Sequence, residues 1–242
     1  FKRANTKKTI HNYYSKYYED EVYDANLIIE KNTNLVPSIE QEDLSSKIVL
    51  KNKNITNNKE LYDAFKKDYK TKTTIFTKKN DMESTRGFFE FMKKPGTSSK
   101  IIHIAGTNGK GSVSAFLQSI CLKSGKKVGM FTSPHLCDIR ERIRVNGQMC
   151  SEDAFLQGFL AVKEALFAYR EANPDKSEYH PTFFEMLFFI GMLCFEKEEP
   201  DVIVLETGLG GRLDATNSIE KPALCVITEI GFDHMEYLGT TL

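Results

Sequence analysis

The stretch "HIAGTNGKGSVSAF" (residues 103–116) gathers Gly106, Gly109, Gly111, Lys110 and Ser112 between an apolar run and a helix-like one. Glycines let the backbone close around an anion, and a helix start adds positive potential. Lys110 brings a full charge for phosphate oxygens, and Ser112 brings a hydroxyl for a magnesium ion on the same phosphates. Thr107 and Asn108 complete the loop. The spacing departs from G-x-x-x-x-G-K-[ST]: the loop is shorter, and Gly111 separates Lys110 from Ser112. A tight structural turn with an exposed lysine is the plainer reading, but it does not account for strand, glycines, lysine, hydroxyl and helix in that order.

Three further groups lie at or shortly past the ends of apolar runs. Ser133 follows "KKVGMF", Glu206 closes "DVIVLE", and His234 comes after "PALCVIT" beside Asp233. Each has a plainer alternative: Ser133 as a turn residue before Pro134, Glu206 as a partner of Arg212, and His234 as a loop cap. Glu185 is the sole charge in "PTFFEMLFFIGMLCF", and a buried acid needs a partner or a function. Phe183 and Phe184 beside it fit plain core packing. His103, inside a strand, reads as a packed core residue. His11, His135 and His180 have no catalytic role in this reading.

These groups need a scaffold. "KIIHIA" reads as a buried strand running into the glycine loop. The next segment carries Val113, Phe116, Leu117, Ile120 and Cys121 at i, i+3, i+4, i+7, i+8, a helical stripe ending near Gly125. "KKVGMF" is a second strand. Ser151 with Glu152 and Asp153 opens a helix. Pro181 opens another, apolar nearly all round and therefore buried. "DVIVLE" and "PALCVIT" are further strands. This rhythm predicts an α/β fold: a parallel sheet flanked by helices, with right-handed crossovers. Such sheets bind ligands at the carboxyl ends of their strands, where Ser133, Glu206, His234 and the loop converge.

The 242 residues have equal numbers of basic and acidic side chains, 33 each. That balance gives no sign of nucleic-acid binding. No 18-residue apolar run predicts a membrane span. The five cysteines form no CxxC pair, and several sit in apolar runs, which suits buried thiols in a reducing, cytoplasmic compartment. All fifteen glycines lie in 87–242. The polar, glycine-free residues before them suggest two parts. Residues 1–80 are expected to be an irregular extension, partly helical, with a disordered stretch near 38–58. Residues 81–242 are expected to be the nucleotide-binding domain. The start at Phe1 and the abrupt "GTTL" end lead us to expect a piece of a longer protein.

"GTNGKGS" resembles the ATP loop of the Mur ligase superfamily. "TSPHL" (132–136), "ERIRVNG" (141–147), "TFFE" (182–185), "ETGLGGRLDATN" (206–217) and "ITEIGFDHMEYLG" (227–239) narrow the resemblance to the dihydrofolate synthase/folylpolyglutamate synthase family, over residues 81–242. The resemblance implies the P-loop-type ATPase domain of that superfamily, with Thr107 to Lys110 around the ATP phosphates and Ser133, Glu206 and His234 on magnesium. It implies a pterin-acid site at Thr182, Phe183, Phe184 and Glu185, at Arg212, Leu213, Asp214 and Ala215, and more loosely at Asp81, Met82, Glu83 and Ser84. It also implies a later lysine supporting a second magnesium and a C-terminal domain, both beyond Leu242.

The implied reaction suits the residues. A carboxylate is a poor electrophile until ATP converts it to an acyl phosphate. Bringing two anions together then needs cations. Lys110, Glu206 and His234 are the expected catalytic residues, with ATP and Mg2+ as cofactors. The expected substrates are L-glutamate and dihydropteroate, with reduced folates as further acceptors, and the expected state is a monomer. A synthase acting only on folate tails and a nucleotide-binding fragment without catalysis are the alternatives.

Overall fold

Four strand ends meet on one edge of the sheet, and the register shows why. β1 (Lys100–Ala105), β2 (Val128–Phe131), β5 (Val202–Glu206) and β6 (Leu224–Ile227) run parallel. Ile104 lies opposite Glu206, Phe131 opposite Leu205, and Ala105 opposite Ile227. The glycine loop, Ser133 and Glu206 therefore leave the sheet at one level. The computed structural model describes residues 37–38, 49–50, 80–233 and 235–240. Pro37–Ser38 pairs antiparallel with Val49–Leu50. The expected helix and polar loop of the first 79 residues otherwise lie outside the described residues, as does His234.

The sheet is mixed rather than purely parallel. Its six strands run in the order β4-β3-β2-β5-β1-β6, where β3 (Ile143–Val145) pairs antiparallel with β2 and turns back in a hairpin to β4 (Gln148–Met149). "ERIRVNG" supplies that hairpin. Asn146 and Gly147 both adopt positive φ at its turn, as a two-residue connection requires.

Alternation along the strands assigns the two faces. Ile104, Val128, Met130 and Val204 point to one face and form a cluster with Val113, Leu117 and Cys121 of α2 (Lys110–Lys123). Glu206 shares parity with Val204, so its carboxylate emerges on the α2 face. The opposite face packs on α4 (Phe183–Glu198), backed by α3 (Glu152–Ala172) and α1 (Met82–Phe91). Aromatic rings fill this layer: Phe88 lies 5.1 Å from Phe189, and Phe131 6.4 Å from Phe188.

Local chemistry explains most boundaries. Ser151 caps α3 by accepting the Ala154 N–H at 3.0 Å. The helix expected from Pro181 starts two residues later, because Thr182 is the cap and forms a capping box with Glu185. The expected α2 stripe is rotated. Phe116 and Ile120 are 69% and 63% exposed, while Ser114 and Gln118 are buried. Ser114 can be buried because its hydroxyl donates to the Lys110 carbonyl at 2.9 Å. A short α5 (Met235–Leu238) follows β6.

Candidate functional site

The glycine loop leaves β1 at Gly106, whose φ of 131° and close approach to the Thr228 backbone exclude any side chain. Gly109, at φ 85°, is the N-cap of α2. The first α-helical bond runs from Val113 N–H to Gly109 C=O at 2.9 Å. The amides of Lys110, Gly111 and Ser112 thus precede the helical ladder and face outward at its positive end. Thr107 and Asn108 are tied to the segment after β6. Both backbone N–H groups donate to the Glu229 carbonyl, at 2.8 and 3.2 Å. The outward-facing amides of the loop are therefore those of Lys110, Gly111 and Ser112. The Thr107 hydroxyl donates to the Gly231 carbonyl and accepts the Gly231 N–H, which ties the loop to the segment after β6. Lys110 folds back so that Nζ donates to the Gly106 carbonyl at 2.9 Å.

Glu206 lies beneath this helix start. Its carboxylate oxygens are 3.9 Å from where a side chain at Gly111 would begin. Glu206 is 3% exposed. Burial pushes its pKa up to about 7, against the opposing pull of the Ser133 N–H, Lys110 and Arg142. The Ser133 amide donates to Glu206 Oε2 at 3.3 Å, so these two expected metal ligands are adjacent. Arg142 is a neighbouring cation that the sequence reading did not single out. Its Nε donates to His135 Nδ1 at 2.9 Å, and its guanidinium sits 5.4 Å from the centre of the Phe183 ring. His135 is held largely neutral, its pKa lowered to about 4 by burial and then by Arg142. Among the described residues, no three His, Cys, Asp or Glu side chains cluster as metal ligands.

Three expected substrate segments meet at the start of α4. Asp81 caps α1 by accepting the Ser84 N–H at 2.7 Å. Met82 and Glu83 open the first turn of α1, and Ser84 is buried. Glu185 has the partners that its burial demands. It accepts from Thr85 Oγ1 at 2.5 Å, from Asn80 Nδ2 at 2.7 Å and from the Thr182 N–H at 2.6 Å. Glu185 thus fastens α1 to α4, and Asn80 and Thr85 become visible only in three dimensions. The Phe184 ring packs against Gly208 and lies 5.7 Å from Phe131.

The loop after β5 is organised from within. Asp214 Oδ2 accepts the N–H groups of Gly208 and Leu209, at 3.0 and 2.9 Å. Its Oδ1 accepts from the Thr216 N–H and hydroxyl, at 3.0 and 2.6 Å. His103 Nε2 shares a 2.8 Å hydrogen bond with Thr216 Oγ1 and is buried, as expected of a core residue. Ala215 is buried, whereas Arg212 and Leu213 are exposed. A cleft of about 280 Å³ separates this loop from the glycine loop, lined by Gly106, Lys110, Gly208, Gly210, Ile230 and Leu238.

A glycine loop opening a helix beside a buried acid, at the carboxyl edge of a doubly flanked sheet, defines a P-loop-type nucleotide-binding domain, here with the Mur ligase fold. The comparisons narrow this class to one family resemblance. The chain is 44% identical over 144 residues to a folylpolyglutamate synthase of Arabidopsis thaliana, covering 59% of this chain and 24% of that protein. It is 39% identical over 171 residues to the dihydrofolate synthase/folylpolyglutamate synthase of Buchnera aphidicola, covering 68% and 38%. A Bos taurus relative, 44% identical over 143 residues, is named a mitochondrial folylpolyglutamate synthase; 59% of this chain covers 24% of it. E. coli FolC in complex with DHPP and ADP superposes with a TM-score of 0.62 at 30% identity, over 77% of this chain and 41% of that one. The Yersinia pestis bifunctional enzyme complexed with AMPPNP and a Mn ion gives 0.61 at 31% identity, over 74% and 40%. No protein-family model matches. The chain spans about a quarter to two fifths of the length of these relatives.

Proposed function

We propose that this chain carries the ATP-binding part of a ligase that joins L-glutamate to dihydropteroate, and further glutamates to reduced folates. The observation that carries the reading is the placement of buried Glu206 under the α2 N-terminus, beside Lys110 and Ser133. The donor set fits a divalent cation. Glu206 offers a hard oxygen whose burial leaves its charge poorly compensated, the situation that a bound cation relieves. Glu206, Ser133 and Ser112 would hold Mg2+, joined by His234 as the resemblance implies, and the ion would neutralise charge between the two reacting anions. The relatives bound to ADP, or to AMPPNP with Mn, support this assignment.

Each part of the chain then has a task. The amides of Lys110, Gly111 and Ser112 receive phosphate oxygens. Lys110 swings from the Gly106 carbonyl to the phosphoryl group being transferred. The acceptor carboxylate takes that group as an acyl phosphate with release of ADP, and attack by the glutamate amine expels phosphate. The half-buried rings of Phe183 and Phe184 offer flat apolar area to a pterin ring, with the Arg142 guanidinium over Phe183. The DHPP complex of E. coli FolC supports a pterin acid as acceptor.

A synthase restricted to folate tails is the second reading, favoured by the names of the Arabidopsis and Bos taurus relatives. Among the described residues, no helix is long and apolar enough to cross a membrane. We place the protein in a reducing compartment on its five free thiols, as a monomer. The test is to assay the protein expressed from its own gene with ATP, Mg2+ and L-glutamate, against dihydropteroate and against tetrahydrofolate. Phosphate release with dihydropteroate supports the first reading. Release with tetrahydrofolate alone supports the second, and release with neither overturns both.

A further inference from the structure

Where β1 and β6 stop pairing, a side chain continues the connection. The paired register ends at Ala105 opposite Ile227. One residue on, the Thr228 N–H donates to the Ala105 carbonyl at 2.8 Å. Beyond that point the glycine loop and the segment after β6 run side by side, with Asn108 bridged antiparallel to Glu229. The Glu229 carbonyl takes the amides of Thr107 and Asn108, which any residue except proline could supply. The Thr107 hydroxyl makes the part of the junction that depends on residue type. Its one hydrogen goes to the Gly231 carbonyl at 3.1 Å, and its oxygen receives the Gly231 N–H at 3.0 Å. A single hydroxyl thus serves both polar groups of one residue, as a neighbouring strand would.

Burial does not fix this segment, since Glu229, Ile230, Phe232 and Asp233 are exposed. Hydrogen bonds to the loop set its path instead. Lys110, the first residue of α2, lies three residues past Thr107. Asp233 and His234 lie two and three residues past Gly231. The hydroxyl therefore fixes the start of α2 relative to the chain that leads into Asp233 and His234.

We propose that Thr107 is a positioning residue, whose hydroxyl holds residues 229–233 against the glycine loop so that the segment leading into His234 closes on a magnesium nucleotide seated at the α2 start. The role depends on the nucleotide reading of the site. Thr107 has no phosphate contact in it: Glu229 takes its amide, and Gly231 takes its hydroxyl. Valine matches threonine closely in shape but has neither donor nor acceptor, so Thr107→Val leaves the Gly231 N–H and carbonyl without this partner. Thr107→Ser keeps both hydrogen bonds and loses only the methyl group.

The test is calorimetric titration of the chain with AMPPNP, without and with Mg2+, in wild type, Thr107→Val and Thr107→Ser. Thr107→Val is expected to lose roughly tenfold in affinity when Mg2+ is present, the effect of two lost hydrogen bonds, and much less when it is absent. Thr107→Ser is expected to recover most of that loss. Hydrogen exchange supplies a second readout. In the nucleotide-free protein, exchange across 229–233 should quicken in Thr107→Val. In wild type, AMPPNP with Mg2+ should slow exchange over 229–233 as well as over 107–112, and this comparison decides if Thr107→Val does not fold. Equal losses with and without Mg2+ would make the hydroxyl a phosphate contact or a general support of the loop, and would overturn the positioning role. So would wild-type affinity in Thr107→Val, or protection confined to 107–112. Wild type that binds no AMPPNP would refute the nucleotide reading itself, and the positioning role with it.

Discussion

Lys110 rests on a backbone carbonyl of its own loop and supports no other element. Removing it should therefore spare the fold. In an active form of the protein, Lys110→Ala is expected to lower turnover on the order of 10²-fold or more, because a placed charge at a transferring phosphoryl group is lost. Its thermal midpoint should match wild type, and turnover near the wild-type rate would remove Lys110 from the reaction. His103 makes a prediction of the opposite kind, about stability and not chemistry. Burial lowers its pKa from the ordinary 6.5, outweighing the upward pull of Asp214. The folded state thus resists protonation that the unfolded state accepts. The stability contribution is full above about pH 6.5 and is lost as pH falls below it. Denaturant midpoints measured from pH 8 to pH 5 should fall in wild type. They should fall less in His103→Gln, whose side-chain N–H can still reach Thr216. At this scale the strand–glycine loop–helix order was legible, because the glycines and the apolar run before them mark it by residue type. Arg142 was not, because its partners His135, Phe183 and Glu206 are assembled only by the sheet.

At the scale of elements, the start of α4 is the joint that matters. Glu185 closes the capping box and receives Asn80 and Thr85 from the α1 side. Glu185→Ala leaves these donors unsatisfied and uncaps the helix, a loss of roughly 2–4 kcal/mol. Thr182→Ala should cost about 1 kcal/mol. Urea midpoints test the ordering, and equal small effects would mean that the joint is not structural. The sequence pointed to a partner or a function for this acid but did not name the partner, since Asn80 and Thr85 lie about a hundred residues upstream. Strands of the parallel core were readable as short apolar runs. The β3–β4 hairpin was not, because "ERIRV" alternates charge and apolar side chains over too few residues to stand out. The α2 stripe was read about one position off. Periodicity marks a helix well, but it could not show that the Ser114 hydroxyl is satisfied within its own helix, which frees that position to face the core.

Across the whole molecule, apolar surface collects along the β6 edge. Ile227 is 68% exposed, and Ile230, Phe232 and Leu238 are exposed with it. Among the described residues β6 pairs on one side only, and an edge strand with such side chains is a template for association. The chain is expected to self-associate as its concentration rises, and Ile227→Lys to reduce this; light scattering of the two proteins at equal concentration checks it. The same edge holds Glu229, which accepts the Thr107 and Asn108 amides, so the phosphate loop and the exposed edge form one structural unit.

The central claim is that Gly109–Ser112, Lys110 and Glu206 form one site for a magnesium nucleotide. Calorimetric titration of the chain with AMPPNP, with and without Mg2+, tests it most directly, with Glu206→Gln measured alongside. Binding is expected to strengthen when Mg2+ is added. Glu206→Gln, which keeps the shape and loses the charge, is expected to abolish the magnesium effect while the fold persists. Nucleotide binding indifferent to magnesium in wild type, or an undiminished magnesium effect in Glu206→Gln, would contradict it.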